Sequence, residues 1–301
     1  SEMCIRDSNN CAKARVFLFC VYSKGAIVMA RKRLTEMFPF LLPLRRWQKK
    51  QCCYLKMKFD KNVYADKISE SLFPNVVFET SALMVNENSG FDIQFQYNKV
   101  HNLQLAAKTM DKLVIAPNET FSFFWLTRHA DRYTRYKDGL NLVNGKIVGS
   151  YGGGLCQLSN MLFWLFLHTP MTIVERHGHA AESFPSTTED LPCGTDATVS
   201  EGWLDLKVRN DTDNTFQIAI HFDDNYMYGE ILSQRPVNTE YTVFNSSVSY
   251  IKRNEKIYQV SVVCREETDQ ETGEHTQREL YTNQCEISYS LPDNIEVKSL
   301  D

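Results

Sequence analysis

The chain has 301 residues, 43% of them hydrophobic and 23% charged, with a formal net charge of −4. That is room for one large domain or two modest ones with an ample core. It excludes a low-complexity chain and gives no overall signal for nucleic-acid binding. The charge is uneven, however. Residues 31–61 hold ten Lys/Arg against Glu36 and Asp60, a local charge of +8, and residues 1–30 carry +2, which leaves −14 on the other 240 residues. Nine cysteines make an odd number with no repeated spacing, and adjacent Cys52 and Cys53 are hard to bridge. This usage fits a reducing compartment, so the expectation is a cytoplasmic protein. No apolar run is long enough to span a bilayer. Val16 to Val28 comes closest and is interrupted by Ser23, Lys24 and Gly25.

In chain order, residues 1–28 read as a non-native or disordered leader. Ser1-Glu2-Met3-Cys4-Ile5-Arg6-Asp7-Ser8 resembles translated sequencing adaptor, and Met29 is the expected start. Residues 29–70 form a basic segment, helical over 30–70. Leu34, Met37, Phe38, Leu41, Leu44 and Trp47 recur near helical spacing, interrupted by Pro39 and Pro43. Cations surround this stripe. It reads as a helix packed on the domain with a solvated basic face, or as a peripheral membrane contact through residues 31–61 at the inner membrane face. Residues 75–100 suggest short strands or a loop around Phe78, Phe91, Ile93 and Phe95. His101 to Leu113 reads as a helix. Val114 to Phe123 reads as two strands about a turn at Pro117-Asn118. Gly139 to Val148 reads as a hairpin turning at Asn144-Gly145. Three glycines, Gly152, Gly153 and Gly154, then lead into a buried apolar helix running to Leu167, and Thr172 to Arg176 reads as a strand. From Trp203 the pattern is β: Leu204 to Val208, Phe216 to Phe222, and Tyr226 to Leu232 after a turn at Asp223-Asp224-Asn225. A last pair, Ile257 to Cys264 and Leu280 to Tyr289, closes through Gly273. The fold class is α+β, a mixed N-terminal part with a glycine-rich loop and buried helix, then a β-rich C-terminal part.

The chemistry concentrates where the glycines meet that helix. Cys156 falls in its first turn, where free N–H groups and the helix dipole favour a thiolate. Glu175-Arg176-His177-Gly178-His179 follows downstream. A cysteine at a helix start with histidine later in the chain is the order used by papain-like and transglutaminase-like enzymes. Cys156 is the candidate nucleophile. His177 and His179, two apart on or just past a strand, are expected to share one face, with His179 preferred as base. Asp196, with Asp205 second, is the candidate to orient the ring. Backbone N–H groups of Cys156 and Gln157, or the Gln157 side chain, are candidate oxyanion donors. Gly152, Gly153, Gly154, Gln157, Ser159 and Arg176 make up the expected substrate-binding set. The reaction class is acyl transfer or amide hydrolysis, with no cofactor.

Several blocks taken together resemble the VanW family: Asn118-Glu119-Thr120-Phe121-Ser122-Phe123, Tyr151-Gly152-Gly153-Gly154-Leu155-Cys156-Gln157-Leu158-Ser159, Val174-Glu175-Arg176-His177-Gly178-His179, Asp196-Ala197-Thr198-Val199 and Asp205-Leu206-Lys207-Val208-Arg209-Asn210. The likeness covers roughly residues 30–245 and is to the short form of the family. It departs at Asn118, where a glycine is more usual, and at Ala180, where a serine is expected. The resemblance implies a VanW-like domain over 71–245; residues 246–301 lie beyond the likeness and read as a β-hairpin extension. It also implies a bacterial setting linked to peptidoglycan and glycopeptide antibiotics, with a peptidoglycan-type peptide or wall precursor as partner; it supplies no biochemical activity. Three alternatives remain. Cys156 is a buried thiol and the glycines serve packing alone. Cys156, His177, His179 and Cys193 hold zinc, although the paired Cys-x-x-Cys spacing of structural sites is absent. Or the chain binds a wall precursor or partner enzyme without turnover, through a groove lined by Trp125, Tyr133, Tyr136, Tyr151 and Trp203. Arg176 then reads a carboxylate, or is simply a structural ion pair.

Overall fold

A computed structural model of the chain describes residues 38–87, 90–143, 146–182, 191–292 and 295–299. The leader at 1–28, the apolar run Val16 to Val28 and the turn Asn144-Gly145 lie outside these residues. The fold is α+β, few helices against many strands, with a β-rich C-terminal part.

The basic segment is helical over a shorter span than 30–70. Residues 39–41 make one 3-10 turn and α1 covers Leu42–Phe59. Pro43 starts this helix, because the first turn needs no N–H from it. Two short strands follow, β1 (Val63–Tyr64) and β2 (Lys67–Ile68), then a nine-residue strand, β3 (Asn75–Leu83). The second helix, α2 (Gln94–Ala107), begins seven residues before the expected His101. Asp92 Oδ1 accepts the Gln94 N–H at 2.9 Å and fixes that start. Its end precedes the expected Leu113, since Lys112 turns at φ +60° and sends Leu113 into β4 (Leu113–Ile115). Asn118, at φ +66°, makes the turn to β5 (Glu119–Ser122). Asparagine is among the few side chains that tolerate this region. Ser122 then caps a one-turn helix, α3 (Phe123–Thr127), accepting the Trp125 N–H at 3.1 Å. The hairpin is β6 (Asp138–Val143) against β7 (Lys146–Tyr151).

The central element is α4 (Cys156–Leu167). Leu158, Met161, Leu162, Phe163, Leu165, Phe166 and Leu167 are all buried in the main core. A helix apolar all round must be enclosed, and β3, α2 and the later β-strands enclose it. After it come β8 (Thr172–Glu175), β9 (Ala181–Glu182), β10 (Lys207–Arg209), β11 (Phe216–Phe222) and β12 (Tyr226–Ser233). Three long strands follow, β13 (Thr239–Arg253), β14 (Lys256–Asp269) and β15 (His275–Ile287), then β16 (Val297–Ser299). Among the described residues, one sheet has the order β1-β5-β10-β8, a second β2-β4-β11-β12-β3, and a third β16-β13-β14-β15-β9, with β6-β7 a separate ribbon. The position 245/246, read in the sequence as a boundary, falls inside β13. The sheet of β13–β15 reaches the body through β9, which pairs parallel with β15 from Ala181 to Glu286. It also reaches α4. Buried Arg265 on β14 donates from Nη1 to Leu167 O (3.1 Å) and Thr169 O (2.7 Å), a cation at the end of the helix where carbonyls lack partners.

The glycine loop shows what its glycines are for. Gly152 and Gly154 have φ of +70° and +92°. A Cβ on Gly153 would meet the Gly139 backbone at 2.2 Å, and one on Gly154 would meet Lys99 Cγ at 2.3 Å. The loop therefore packs on β6 and α2. Asn102 of α2 clamps it, donating from Nδ2 to Gly153 O (3.0 Å) and Lys137 O (2.9 Å) while Oδ1 accepts the Lys137 N–H (2.8 Å). Because the Gly139 contact is backbone on backbone, neither side can yield. Gly153→Ala is expected to destabilise the fold by about 3 kcal/mol or more, whereas Gly273→Ala, with open space around it, costs about 1 kcal/mol for its positive φ alone; denaturant unfolding of the two variants side by side checks the difference.

Candidate functional site

Three expected residues come together where α4 begins. Cys156 is its first residue. Its Sγ is close enough to the His179 ring to help raise the proton affinity of the imidazole; the thiol's own hydrogen bond is to Val199 O at 3.7 Å. His179 Nδ1 and Asp196 Oδ2 are 2.5 Å apart, and Oδ2 also accepts the His179 N–H at 2.6 Å. Burial disfavours the charged ring, but the hydrogen bond and charge of Asp196 and the contact with Cys156 outweigh it, so His179 titrates above its ordinary value. Burial likewise works against the Asp196 carboxylate, and the His179 hydrogen bond and the Arg176 charge overcome it, so Asp196 titrates below its ordinary value.

Arg176 is the structural ion pair, not an open receptor. Its Nε donates to Asp196 O (2.6 Å), Nη1 to Asn283 Oδ1 (2.9 Å), and Nη2 to Asp196 Oδ1 (2.8 Å) and Gly194 O (2.7 Å). The guanidinium sits over the rings of Tyr281 and Phe163 at 4.7 and 5.4 Å, and the side chain is 10% exposed.

His177 stands apart from this group. Its Nε2 pairs with Glu175 Oε1 at 3.1 Å, and Glu175 Oε2 takes the Lys207 ammonium at 2.8 Å. Against the cost of burial, these partners hold the Glu175 carboxyl at about 2. The expectation of a shared face fails because the strand ends at Glu175, so its alternation does not carry through to His179, and the two rings take different partners. Gly178 between them packs against β15, where an added Cβ would lie 2.4 Å from Asn283 Oδ1. Asp205, the second choice for the third member, is also elsewhere. It accepts Ser122 Oγ–H (2.5 Å), Phe124 N–H (3.0 Å) and Leu206 N–H (2.9 Å), and burial pushes it up to about 6.

The expected substrate-binding residues mostly serve the protein itself. Ser159 is fully buried and donates to Ala197 O at 2.6 Å, tying α4 to the Asp196 segment. The Gln157 N–H donates to Gly154 O (3.1 Å) and its Nε2 to Leu83 O (2.6 Å), so neither is a spare oxyanion donor. Gln157 Oε1, next in the chain to Cys156, and Thr198 Oγ1, next to Val199, are buried without a hydrogen-bond partner. The zinc set is not assembled. Cys193 is fastened to β13, its N–H donating to Asn245 Oδ1 at 2.7 Å. Among the described residues no three His, Cys, Asp or Glu side chains are grouped to hold a metal ion. Trp125 stacks on Tyr64, Tyr136 meets Tyr151 edge-on, and Tyr133 is 90% exposed. The sequence reading missed Thr198, Val199, Tyr281 and Asn283. The first two lie in a quoted block beside Asp196; the last two carry no local signal, being placed by strand pairing alone.

Comparison with known proteins agrees with the motifs. The family described as VanW like protein matches residues 98–232. The "Vancomycin B-type resistance protein VanW" of Enterococcus faecalis (strain ATCC 700802 / V583) is 49% identical over 271 residues, covering 90% of this chain and 98% of that protein. "Uncharacterized protein YoaR" of Bacillus subtilis (strain 168) is 33% identical over 144 residues, 46% of each chain. No solved structure matches significantly.

The geometry makes Asp196 the keystone of the site. Since its carboxylate titrates below the unfolded value, its contribution is full above that value and is lost as pH falls through the folded one. The stability gap between wild type and Asp196→Asn is expected to shrink steadily as pH drops below about 4, the ordinary aspartate value; urea unfolding across that range measures it. Taken with the shared motif blocks, near-complete coverage of a relative at 49% identity shows that this chain belongs to the VanW family.

Proposed function

We propose that the chain is a cysteine-dependent amide hydrolase or acyltransferase acting on peptidoglycan-type peptides in a vancomycin-resistance setting. The observation that carries this reading is the placement of Cys156 beside the His179–Asp196 pair, with Arg176 fixing the far end. The setting is taken from the printed name of the Enterococcus faecalis relative.

In the proposed reaction the Cys156 sulfur adds to the acyl carbon of a peptide bond. His179 gives its proton to the departing amine as the C–N bond breaks, leaving a thioester. Water or an acceptor amine then adds to the thioester carbon, His179 takes the incoming proton, and the C–S bond breaks. Asp196 holds Nδ1 so that the other ring nitrogen addresses the sulfur, and it stabilises the cationic ring. Gln157 Oε1 and Thr198 Oγ1, buried and unpartnered on residues adjoining Cys156 and Val199, would receive N–H or O–H groups of the bound peptide. A second reading, binding without turnover, is favoured by one observation: the Gln157 backbone N–H and side-chain amide are both spent inside the protein.

The two readings part on the thiol. At pH 6, where an ordinary thiol is almost wholly protonated, Cys156 is expected to react with iodoacetamide at least about tenfold faster than exposed Cys52, and His179→Ala removes that advantage. Cys156→Ala is expected to abolish turnover of a muropeptide and leave the melting temperature within a few degrees. Labelling of Cys156 no faster than Cys52, with muropeptide binding intact in Cys156→Ala, would overturn the enzyme in favour of the binder.

A further inference from the structure

The helix α1 presents two faces of different character. One docks on the body. Met57 is buried, Tyr54 O–H donates to Glu201 Oε1 (2.5 Å), and Lys50 pairs with the same carboxylate (2.9 Å). Gly202, at φ +86°, lets the chain pass against the backbone of Lys49 and Lys50. The other face is open. Leu44 and Trp47 are each 60% exposed, Leu55 57% and Phe59 81%, with Phe40 at 75% in the preceding turn. At 100° per residue, Leu44, Trp47, Leu55 and Phe59 fall within a sector of about 120°. Cations flank this stripe. Among the described residues, no carboxylate pairs with Arg45, Arg46, Lys49, Lys56, Lys58 or Lys61.

From this the geometry points to α1 as an interfacial helix that docks the protein on an anionic phospholipid surface. An exposed apolar stripe edged with Lys and Arg is the pattern that enters the headgroup layer, the stems and rings reaching into the acyl boundary while the charges meet lipid phosphates. Charge complementarity selects the partner. The body outside this segment carries a net negative charge, so the α1 face is the one that an anionic bilayer attracts. That orientation has a consequence for the site. Glu201, which grips α1, lies two residues beyond Val199, whose carbonyl meets Cys156. Docking through α1 therefore places the turn beside the cysteine near the headgroups. The docking stands or falls independently of the proposed catalysis.

The test uses the full chain and vesicles of phosphatidylcholine with or without an equal part of phosphatidylglycerol. The wild type is expected to co-sediment with the anionic vesicles and to be released as salt rises. The Trp47→Ser/Leu55→Ser double variant is expected to bind at least about tenfold more weakly, and Arg45→Glu/Lys56→Glu likewise, each with a melting temperature within a few degrees of wild type because all four side chains are exposed. Equal binding to neutral vesicles, or undiminished binding by both variants, overturns the proposal. So does gel filtration showing a dimer that Trp47→Ser/Leu55→Ser converts to monomer, since the stripe would then be covered by a second copy of the chain.

Discussion

The whole arrangement hangs on one carboxylate used from both sides. Asp196 Oδ1 is held by Arg176, and Oδ2 takes both the backbone N–H and the ring of His179. The Asp196 side chain keeps a quarter of its surface exposed, and its charge is held in place by these pairings and hydrogen bonds. Arg176 spends its remaining donors on Gly194 O and Asn283 Oδ1. One guanidinium thus fixes the loop before Asp196, the strand β15 and, through Asp196, the imidazole. Bidentate geometry explains why lysine would not serve there: a point charge cannot address four acceptors in set directions.

The other half of the site is α4, and it is gripped along its length. At its start Cys156 faces His179. One turn on, Ser159 is tied to Ala197, next to Asp196. Further along, Phe163 lies beneath the Arg176 guanidinium, and at the far end Arg265 receives the last carbonyls. Two of these attachments, Arg265 and the Asn283 contact of Arg176, come from the β13–β15 sheet. That sheet lies beyond residues 98–232, the span matching the family, yet it sets both ends of the helix that presents the cysteine. The register of β14 and β15 is therefore a constraint on the site. A slip of one residue would turn Arg265 and Asn283 to the opposite face together.

What could be read from the sequence follows from how local each cause is. The buried helix to Leu167 and the strand Phe216 to Phe222 were legible because continuous apolar runs bounded by turn residues leave few alternatives. The start of α2 was missed because it is set by a single carboxylate, Asp92, ahead of a polar first turn. The long strand β13 was missed because its residues are half-exposed and mixed, so its state is decided by pairing with β14. The pairing of Cys156 with His179 and Asp196 was anticipated in chain order alone. The divergence of His177 was not, because the strand ends at Glu175 and its alternation does not extend to the two histidines. The glycine loop illustrates the same limit. Three glycines announce a close approach, but the sequence does not say to what; the structure shows Gly153 against Gly139, backbone to backbone.

The charges at the site are set by a few close partners. Arg176 and a protonated His179 carry two positive charges beside the carboxylate of Asp196, and Glu182 lies near enough to feel both Asp196 and His179, its carboxyl pushed upward by burial and the Asp196 charge. Asp196 takes Nδ1 of the His179 ring, which leaves the other ring nitrogen as the position where an anion would meet the cation. Either occupant would use it, a sulfur anion in the proposed catalysis or a carboxylate of a bound peptide in the binding alternative. What the fold supplies in both cases is a cation held in place before the anion arrives, with no reorganisation left to do.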